Sequence, residues 1–199
     1  GVTYGNGLFV TVGWNGTILT SSDGTSWTER TSGISDHLSG VTYGNGLFVV
    51  VGSSGTLLTS FDGTFWTQRT SGTSDYLYGV TYGNGLFVTV GWNGTIFTSS
   101  DGTTWTSITP WKSNTLSGVT YGNGTFVTVG GGTILTSSDG NSWTERTSVK
   151  TYYLRGVTYG NGLFVTVGYG IIITSSDGTT WTERTSGTSN TLSGVTYSQ

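Results

Sequence analysis

A seven-residue string recurs at nearly equal spacing along the whole chain, and it limits the possible folds more than any other feature. The string Gly-Val-Thr-Tyr-Gly-Asn-Gly occurs five times, and Gly194–Tyr197 begins a sixth copy. The copies start at residues 1, 40, 79, 118 and 156. Tandem repeats with this spacing indicate one domain in which each repeat is the same small structural unit. The predicted repeats of this single domain of 199 residues are 1–39, 40–78, 79–117, 118–155 and 156–193, followed by a closing strand at 194–199.

Each repeat contains four short segments with the composition of β-strands. These segments are rich in Val, Ile, Thr, Phe and Trp, which suit a pleated surface. The Asn-Gly and Asp-Gly pairs between them favour tight hairpin turns, so neighbouring strands run antiparallel. In the first repeat the predicted strands are Val2–Tyr4, Leu8–Val12, Thr17–Ser21 and Ser26–Thr31.

A four-stranded meander that repeats through a longer connector is the pattern of a β-propeller blade. A helical fold is hard to build from this chain because it has no Ala and is rich in Gly, Thr and Ser, which disfavour helix interiors. The sequence therefore predicts an all-β fold, a five-bladed β-propeller of four-stranded antiparallel blades.

Six copies of the first strand are available for five inner positions, which raises the question of closure. We predict that Gly194–Tyr197 completes the first blade by pairing with Leu8–Val12, so that strand exchange between the termini closes the ring. Gly1–Tyr4 would then be displaced, or shared with a second molecule by swapping. A monomer is the expected state, and a strand-swapped oligomer is the alternative.

One turn carries the same Ser-Asp-Gly-Trp pattern in every repeat. This pattern resembles the Asp-box, or bacterial neuraminidase repeat, although the interval from Asp to Trp is one residue shorter. It is similar to the version in bacterial and phage propellers of the sialidase-like or photosystem II assembly-factor-like kind. The resemblance implies a propeller in which the box is a folding element and has no catalytic role. The matching segments are Ser21–Trp27, Ser60–Trp66, Ser99–Trp105, Ser137–Trp143 and Ser175–Trp181.

The sequence offers few residues for catalysis or for a metal. Each turn aspartate is predicted to accept backbone N–H bonds within its own turn; calcium would need six to eight oxygen ligands. The chain has no Cys and one His, His37, so thiolate sites and metal sites built from several histidines are excluded. Ser and Thr are abundant, but no base is placed beside any of them in the sequence, so a triad is not expected. We therefore predict no enzymatic activity, no cofactor and no metal site. The turn aspartates are Asp23, Asp62, Asp101, Asp139 and Asp177.

The charge of the chain limits its partners. The net charge is −3 and only 9% of the residues are charged, against about 25% in ordinary domains. Nucleic-acid binding is excluded because the Lys and Arg residues form no cluster that could neutralise phosphates. Membrane insertion is not expected, since no apolar run reaches the length of a span. Low charge with abundant Ser and Thr favours an extracellular location or a phage or cell surface.

Two loops differ between the repeats, the second turn of each blade and the connector to the next blade. In a meander both lie at the same end of the strands, so the sequence variation falls on one face. This face gathers aromatic residues beyond those that recur in every blade. These candidate ligand-binding residues are Trp14, Trp92, Trp111, Tyr76, Tyr78, Tyr152, Tyr153 and Tyr169.

An uncharged face of Trp and Tyr edged with Asn, Ser and Thr suits sugar rings, whose C–H faces stack on aromatic rings. We predict a non-catalytic, lectin-like carbohydrate-binding module. Trp and Tyr also anchor protein interfaces, so the partner is a glycan or a protein surface. The alternatives are a repeat-amplified or engineered scaffold without a small-molecule ligand, and aromatics that only cap the blades. The chain starts at a repeat boundary without Met, as expected of an excised or processed segment.

Overall fold

The computed structural model describes residues 1–108, 114–146 and 153–197, and in these ranges it has twenty strands in five sheets. The strands of the first and second sheets are β1 (Val2–Gly5), β2 (Leu8–Val12), β3 (Ile18–Ser21), β4 (Thr28–Arg30), β5 (Leu38–Gly44), β6 (Leu47–Gly52), β7 (Leu57–Ser60) and β8 (Thr67–Arg69). Those of the third and fourth are β9 (Leu77–Gly83), β10 (Leu86–Gly91), β11 (Ile96–Ser99), β12 (Thr106–Ile108), β13 (Leu116–Gly122), β14 (Thr125–Gly130), β15 (Ile134–Ser137) and β16 (Thr144–Arg146). The fifth sheet contains β17 (Leu154–Gly160), β18 (Leu163–Gly168), β19 (Ile172–Ser175) and β20 (Thr182–Arg184).

Every sheet is an antiparallel meander in chain order, for example β1-β2-β3-β4. The first turn of each blade places Asn and Gly in the left-handed region, as Asn6 at φ 50° and Gly7 at φ 75° show. This is the backbone of a tight hairpin whose twist matches that of the strands. The prediction of an all-β, five-bladed β-propeller of four-stranded antiparallel blades is confirmed. No helix in the described ranges is long and apolar enough to cross a membrane.

The core lies between the blades rather than within them. Alternate residues of a strand face opposite sides of its sheet, so each blade presents one apolar face to the preceding blade and one to the following blade. Val10 and Ile18 of the first blade pack with Phe48 and Leu58 of the second in one buried cluster. Three further clusters join the second blade to the third, the third to the fourth and the fourth to the fifth.

A glycine–tyrosine contact sets the approach of neighbouring inner strands. A Cβ at Gly44 would lie 2.1 Å from Cγ of Tyr82, and one at Gly83 would lie 2.1 Å from Cγ of Tyr121. No side chain fits in this space, so only glycine lets the tyrosine of the next blade cover the strand. The same contact recurs between every pair of consecutive inner strands.

The predicted closure by strand exchange is wrong in this structure. Val2 of β1 pairs with Thr11 of β2, so the position opposite β2 is held by the N-terminal strand. Gly194–Tyr197 lies instead beside β17, where an ideal Cβ at Gly156 would be 3.3 Å from the Gly194 Cα. Connectivity explains the outcome. A tight turn joins β1 directly to β2, and a short loop costs the least entropy to close. The C-terminal copy leaves the fifth blade through a connector, which delivers it to the next inner position.

Candidate binding site on the variable face

The second turns and the connectors lie together at one end of the strands, as the meander requires. The Gly16 N–H donates to the Asp36 carbonyl at 2.7 Å, and Gly55 makes the equivalent bond to Asp75 at 2.8 Å. At the opposite end, the Asn6 side chain of a first turn donates to the Phe61 carbonyl of a third turn at 3.5 Å. We call the end that carries the second turns and connectors the variable face.

The second turn projects its first residue outward. Asn15 and Asn93 adopt φ values of 54° and 58°, and this left-handed step makes the turn tight. The residue before each of them, Trp14 or Trp92, is 73% or 54% exposed. Asparagine therefore serves the backbone of the turn, and tryptophan is presented to solvent.

A cavity of about 780 Å³ opens on the variable face between the third, fourth and fifth blades and the C-terminal segment. Its volume lies within the range of small-molecule sites. The exposed rings of Trp92 and Tyr153 supply apolar walls, and most of the remaining lining groups are neutral and polar. The lining residues are Tyr78, Trp92, Asn114, Thr115, Ser117, Gly131, Tyr153, Leu154, Arg155, Thr191 and Ser193.

Arg155 is the charged side chain among the described residues that line this cavity. Its guanidinium carbon lies 5.8 Å from the centroid of the Tyr169 ring, a distance at which a cation is attracted to an aromatic face. The Tyr169 ring meets Tyr153 edge to face at 6.4 Å between centroids. Burial raises the pKa of Tyr78, and the positive charge of Arg155 opposes this shift. Tyr78 is therefore a neutral hydroxyl at physiological pH.

A second group of aromatic rings lies beside the cavity. The Trp14 ring stacks on His37 with centroids 4.0 Å apart. His37 Nδ1 is hydrogen-bonded to the Tyr76 hydroxyl, and Tyr76 stacks on Tyr78 at 4.4 Å. Burial, and then the positive charge of the chain's N-terminus, lower the pKa of His37. We call Trp14, His37 and Tyr76 the aromatic stack; one face of Trp14 is occupied within it.

The predicted site residues thus separate into groups. Tyr78, Trp92 and Tyr153 line the cavity, Tyr169 adjoins it, and Trp14 and Tyr76 belong to the aromatic stack. Trp111 and Tyr152 lie outside the described residues. Sequence reasoning expected Asn, Ser and Thr at the edge of the aromatic face, but it missed His37 as a stacking partner and Arg155 as a charged lining residue. Comparison of the repeats contained a signal for Arg155, because the residue before Gly-Val-Thr-Tyr is Ser in three other copies.

Each turn aspartate stabilises its own turn, at the end of the strands opposite the variable face. Asp139 Oδ1 accepts the N–H groups of Asn141 and Ser142, both at 2.8 Å, and the Ser137 hydroxyl at 2.9 Å. The N–H bonds, that of Ser142 first, lower the pKa of Asp139 to about 2. The Trp143 indole donates to the Gly140 carbonyl at 2.9 Å, which ties the turn to the framework. The prediction that these carboxylates act within their own turns is confirmed.

The described part of the chain brings no three His, Asp or Glu side chains together in an arrangement that could hold a metal ion. The arginines of the outer strands are spread over the blades. Arg30 Nε donates to the Thr20 hydroxyl at 2.9 Å, and Arg146 Nε donates to Thr136 at 2.8 Å. These cross-strand bonds explain why Arg recurs at this position.

Comparison with known proteins agrees with this architecture. No protein-family model and no curated protein matches the chain. Among solved structures, the chain is similar to YCF48 bound to D1 peptide, with a TM-score of 0.69 and 18% identity over 90% of this chain. It is also similar to virginiamycin B lyase from Staphylococcus aureus, with a TM-score of 0.80 and 16% identity over 92% of this chain. The chain has a propeller fold.

These comparisons support the resemblance to β-propellers. The chain spans 63% of the YCF48 chain and 68% of the lyase chain. A nidogen/laminin complex adds a third similar structure, with a TM-score of 0.72 and 13% identity over 95% of this chain and 80% of that chain. At these identities the likeness is one of fold, and a fold hosts many activities.

Proposed function

We propose that the protein is a non-catalytic carbohydrate-binding module and that the cavity on the variable face receives the sugar. The observation that carries this proposal is the pairing of two exposed aromatic rings, Trp92 and Tyr153, with neutral polar side chains around one concave space of about 780 Å³. The rings stack on the C–H faces of a sugar, and the polar groups bind its hydroxyls.

The polar lining suits hydroxyl recognition in number and kind. Asn114 offers both donors and an acceptor, and the hydroxyls of Thr115, Ser117, Thr191 and Ser193 each donate and accept. Such groups match a ligand whose hydroxyl groups also both donate and accept hydrogen bonds. Arg155 adds donors that are always charged, so a sugar with a carboxylate or sulfate substituent would gain a charge-assisted bond.

The choice of this cavity over a second concave region rests on its aromatic walls. A second concave region of about 740 Å³ lies beside the second turn and outer strand of the first blade. Its described lining, residues 15–16 and 29–35, contains no aromatic side chain. It therefore lacks the stacking surface that a sugar ring requires.

We expect no catalysis at the cavity. Its described lining contains no Asp, Glu or His that could act as a general acid or base. His37 is held in the aromatic stack. The similar lyase is an enzyme, but 16% identity extends to the fold alone.

We propose that the module acts outside the cell or on a phage or cell surface, where glycans are found. Fractionation of the native source would test this location.

A glycan array followed by calorimetry tests the proposal. Trp92→Ser introduces the residue found at the equivalent position of the second repeat, Ser53. Tyr153→Thr introduces the residue found at the equivalent position of the preceding connector, Thr115. We expect each change to weaken binding by about tenfold, which corresponds to loss of about 1.4 kcal/mol. The matched control is Trp14→Ser, which removes the equivalent tryptophan from the aromatic stack and should leave the affinity unchanged.

Two results would contradict the carbohydrate proposal: no glycan on the array is bound, or Trp14→Ser weakens binding as much as Trp92→Ser. The first result would favour a protein surface as the ligand, because Trp and Tyr are the usual anchors of protein interfaces; the second would show that the sugar does not bind in the cavity alone. The similar structures with a D1 peptide and with a nidogen/laminin complex give this alternative its support. A scaffold without a ligand is favoured if neither class binds.

A further inference from the structure

The third turn of the second blade departs from a pattern that the other four blades share. The residue before the turn aspartate is Ser in four repeats and Phe61 in the second. The residue before the turn tryptophan is Ser or Thr in four repeats and Phe65 in the second. One turn thus carries two large apolar rings at positions where its equivalents carry hydroxyls. Those equivalents are Ser22, Ser100, Ser138 and Ser176 for Phe61, and Ser26, Thr104, Ser142 and Thr180 for Phe65.

Neither burial nor turn geometry accounts for these two rings. Phe61 is 72% exposed and Phe65 is 79% exposed, so they add little to the core. Asp62 Oδ1 accepts the Phe65 N–H at 3.1 Å, just as Asp139 Oδ1 accepts the Ser142 N–H at 2.8 Å. The turn therefore forms with serine as well as with phenylalanine. Neighbouring exposed apolar side chains of this kind mark an interaction site.

The two rings border a hollow of about 280 Å³ on the outer part of the second blade. Thr59 of β7 and Thr67 of β8, which are directly paired, form part of its wall together with Arg69. Its volume falls just below the range of small-molecule sites, which suits a single side chain of a partner. All its lining residues belong to the second blade, which lies between the first and third blades. We call this space the phenylalanine hollow.

The hydroxyl groups of the phenylalanine hollow are largely engaged. Ser60 Oγ donates to Asp62 Oδ1 at 3.1 Å and accepts the Gly63 N–H at 2.8 Å. Thr59 Oγ1 accepts a hydrogen bond from Arg69 Nε at 2.9 Å. The Asp62 carboxylate is likewise held by the N–H groups of its own turn. The hollow therefore offers few groups for sugar hydroxyls, unlike the cavity on the variable face, and presents apolar rings and a cation.

Arg69 has less negative charge beside it than the other outer-strand arginines. Its hydrogen bond to Thr59 uses Nε alone, and it forms no ion pair among the described residues. The preceding residue is Gln68, whereas the other repeats that have arginine here carry glutamate before it. These glutamates are Glu29, Glu145 and Glu183. The second blade thus offers its guanidinium to an anion from outside.

We propose that the phenylalanine hollow is a docking site for an extended peptide segment of a partner protein, with an apolar side chain between Phe61 and Phe65 and a carboxylate on Arg69. Burial of the apolar side chain against the rings supplies a hydrophobic contact. The guanidinium supplies a charge-assisted hydrogen bond to the carboxylate. The occupant is a peptide because these two groups are complementary to the hollow, whose own hydroxyls are engaged.

The edge of the sheet suits an extended segment. The short strand β8 is the outermost strand of the sheet β5-β6-β7-β8, and an exposed edge accepts a further strand from a partner. Side chains two residues apart on an extended segment share one face. The docking segment therefore pairs an apolar residue with Asp or Glu at this spacing. The site lies at the end of the strands opposite the variable face, so it does not depend on the carbohydrate proposal.

Selection from a displayed library of random heptapeptides tests the docking. The wild-type chain is the target, and Phe61→Ser/Phe65→Ser, with the residues of Ser22 and Ser26, removes peptides that bind elsewhere. We expect the enriched sequences to combine an apolar residue with Asp or Glu. A fluorescein-labelled synthetic peptide of the enriched sequence is then titrated by fluorescence polarisation. The double variant should keep the wild-type circular dichroism and weaken binding by at least about tenfold, because both apolar anchors are lost.

Substitutions of Arg69 test the carboxylate contact. Arg69→Ile introduces the residue of the third repeat, Ile108; it should weaken binding and remove its dependence on salt. Arg69→Lys keeps the positive charge and should retain part of the affinity. Replacing the peptide carboxylate by an amide should weaken binding to the wild type and have no further effect on Arg69→Ile.

Trp92→Ser, on the variable face, is the matched control and should leave peptide affinity unchanged. The proposal is overturned if no enriched peptide distinguishes the wild type from Phe61→Ser/Phe65→Ser, or if Arg69→Ile binds the peptide as the wild type does. A glycan whose binding is lost in the double variant would make the occupant a sugar. Dimerisation in sedimentation velocity that the double variant abolishes would make it a second copy. Either of these results would also overturn the peptide.

Discussion

The interior between the blades and the variable face use aromatic side chains in opposite ways. In the third repeat, Phe87 is fully buried, with its ring centroid 4.6 Å from Tyr82 and 6.5 Å from Trp105. All five repeats conserve this trio of rings. Trp92, five residues further along, is 54% exposed, and the second repeat has Ser53 in its place. A ring that fills the same close-packed space in the second to fifth blades cannot change, whereas an exposed ring is free to differ.

The largest expected effect on stability comes from a substitution in the interior between the blades. Phe87→Ala should lower the free energy of unfolding by about 3–5 kcal/mol, because it removes buried apolar contacts and leaves a cavity between two blades. Chemical denaturation followed by tryptophan fluorescence measures this change. Trp92→Ser is the control from the same blade and should change the free energy of unfolding by no more than about 0.5 kcal/mol. Equal losses would contradict the division between the two regions.

An intermediate effect concerns the carboxylates at the end opposite the variable face. The pKa of Asp139 is lowered from its ordinary 3.8 to about 2, and hydrogen bonds lower the pKa values of the other four turn aspartates as well. Below the ordinary pKa the unfolded chain binds protons that the folded chain does not. The stabilisation is therefore fully present above about pH 4 and is lost as the pH falls from there through the lowered values.

Denaturation at a series of pH values measures this loss. Asp139→Asn removes one titrating group while keeping an acceptor oxygen in the turn, so its free energy of unfolding should depend less steeply on pH between about 4 and 2. Trp92→Ser, on the variable face, should keep the wild-type slope. An unchanged slope in Asp139→Asn would show that this carboxylate is not held by its turn.

The smallest expected effect lies on the variable face. Trp14→Ser exposes one side of the His37 ring, so the pKa of His37 should rise toward its ordinary value as the burial that lowers it is relieved. An NMR titration reads this directly, since the chain has one histidine. Tyr153→Thr removes a ring from the cavity and serves as the control. A pKa that moves equally in both variants would mean that the aromatic stack and the cavity are not separate.

Most of the fold could be predicted because its determinants are local. Alternating strands, Asn-Gly and Asp-Gly turns and the turn aspartates each act within a few residues, and repetition shows the same signal five times. The closure could not be predicted in this way. Gly1–Tyr4 and Gly194–Tyr197 have the same sequence, so composition cannot say which pairs with β2; chain connectivity decides it.

The candidate site was harder to predict for a related reason. Trp92, Arg155 and Thr191 belong to three different repeats, and their meeting depends on the curvature of the whole blade series. The sequence showed that Trp14 and Trp92 occupy equivalent positions. It did not show that His37 covers one ring and that a cavity opens beside the other, because those neighbours come from loops that do not repeat.

The glycine–tyrosine contact between inner strands has a consequence for how such a chain evolves. Because every step from blade to blade is made by the same pair, as at Gly44 and Tyr82 or Gly83 and Tyr121, one repeat is interchangeable with another at each junction. Unequal recombination at the Gly-Val-Thr-Tyr boundary would add or delete a whole unit and leave all remaining junctions intact. Gene length can then change in steps of one blade, while the loops of the variable face diversify independently.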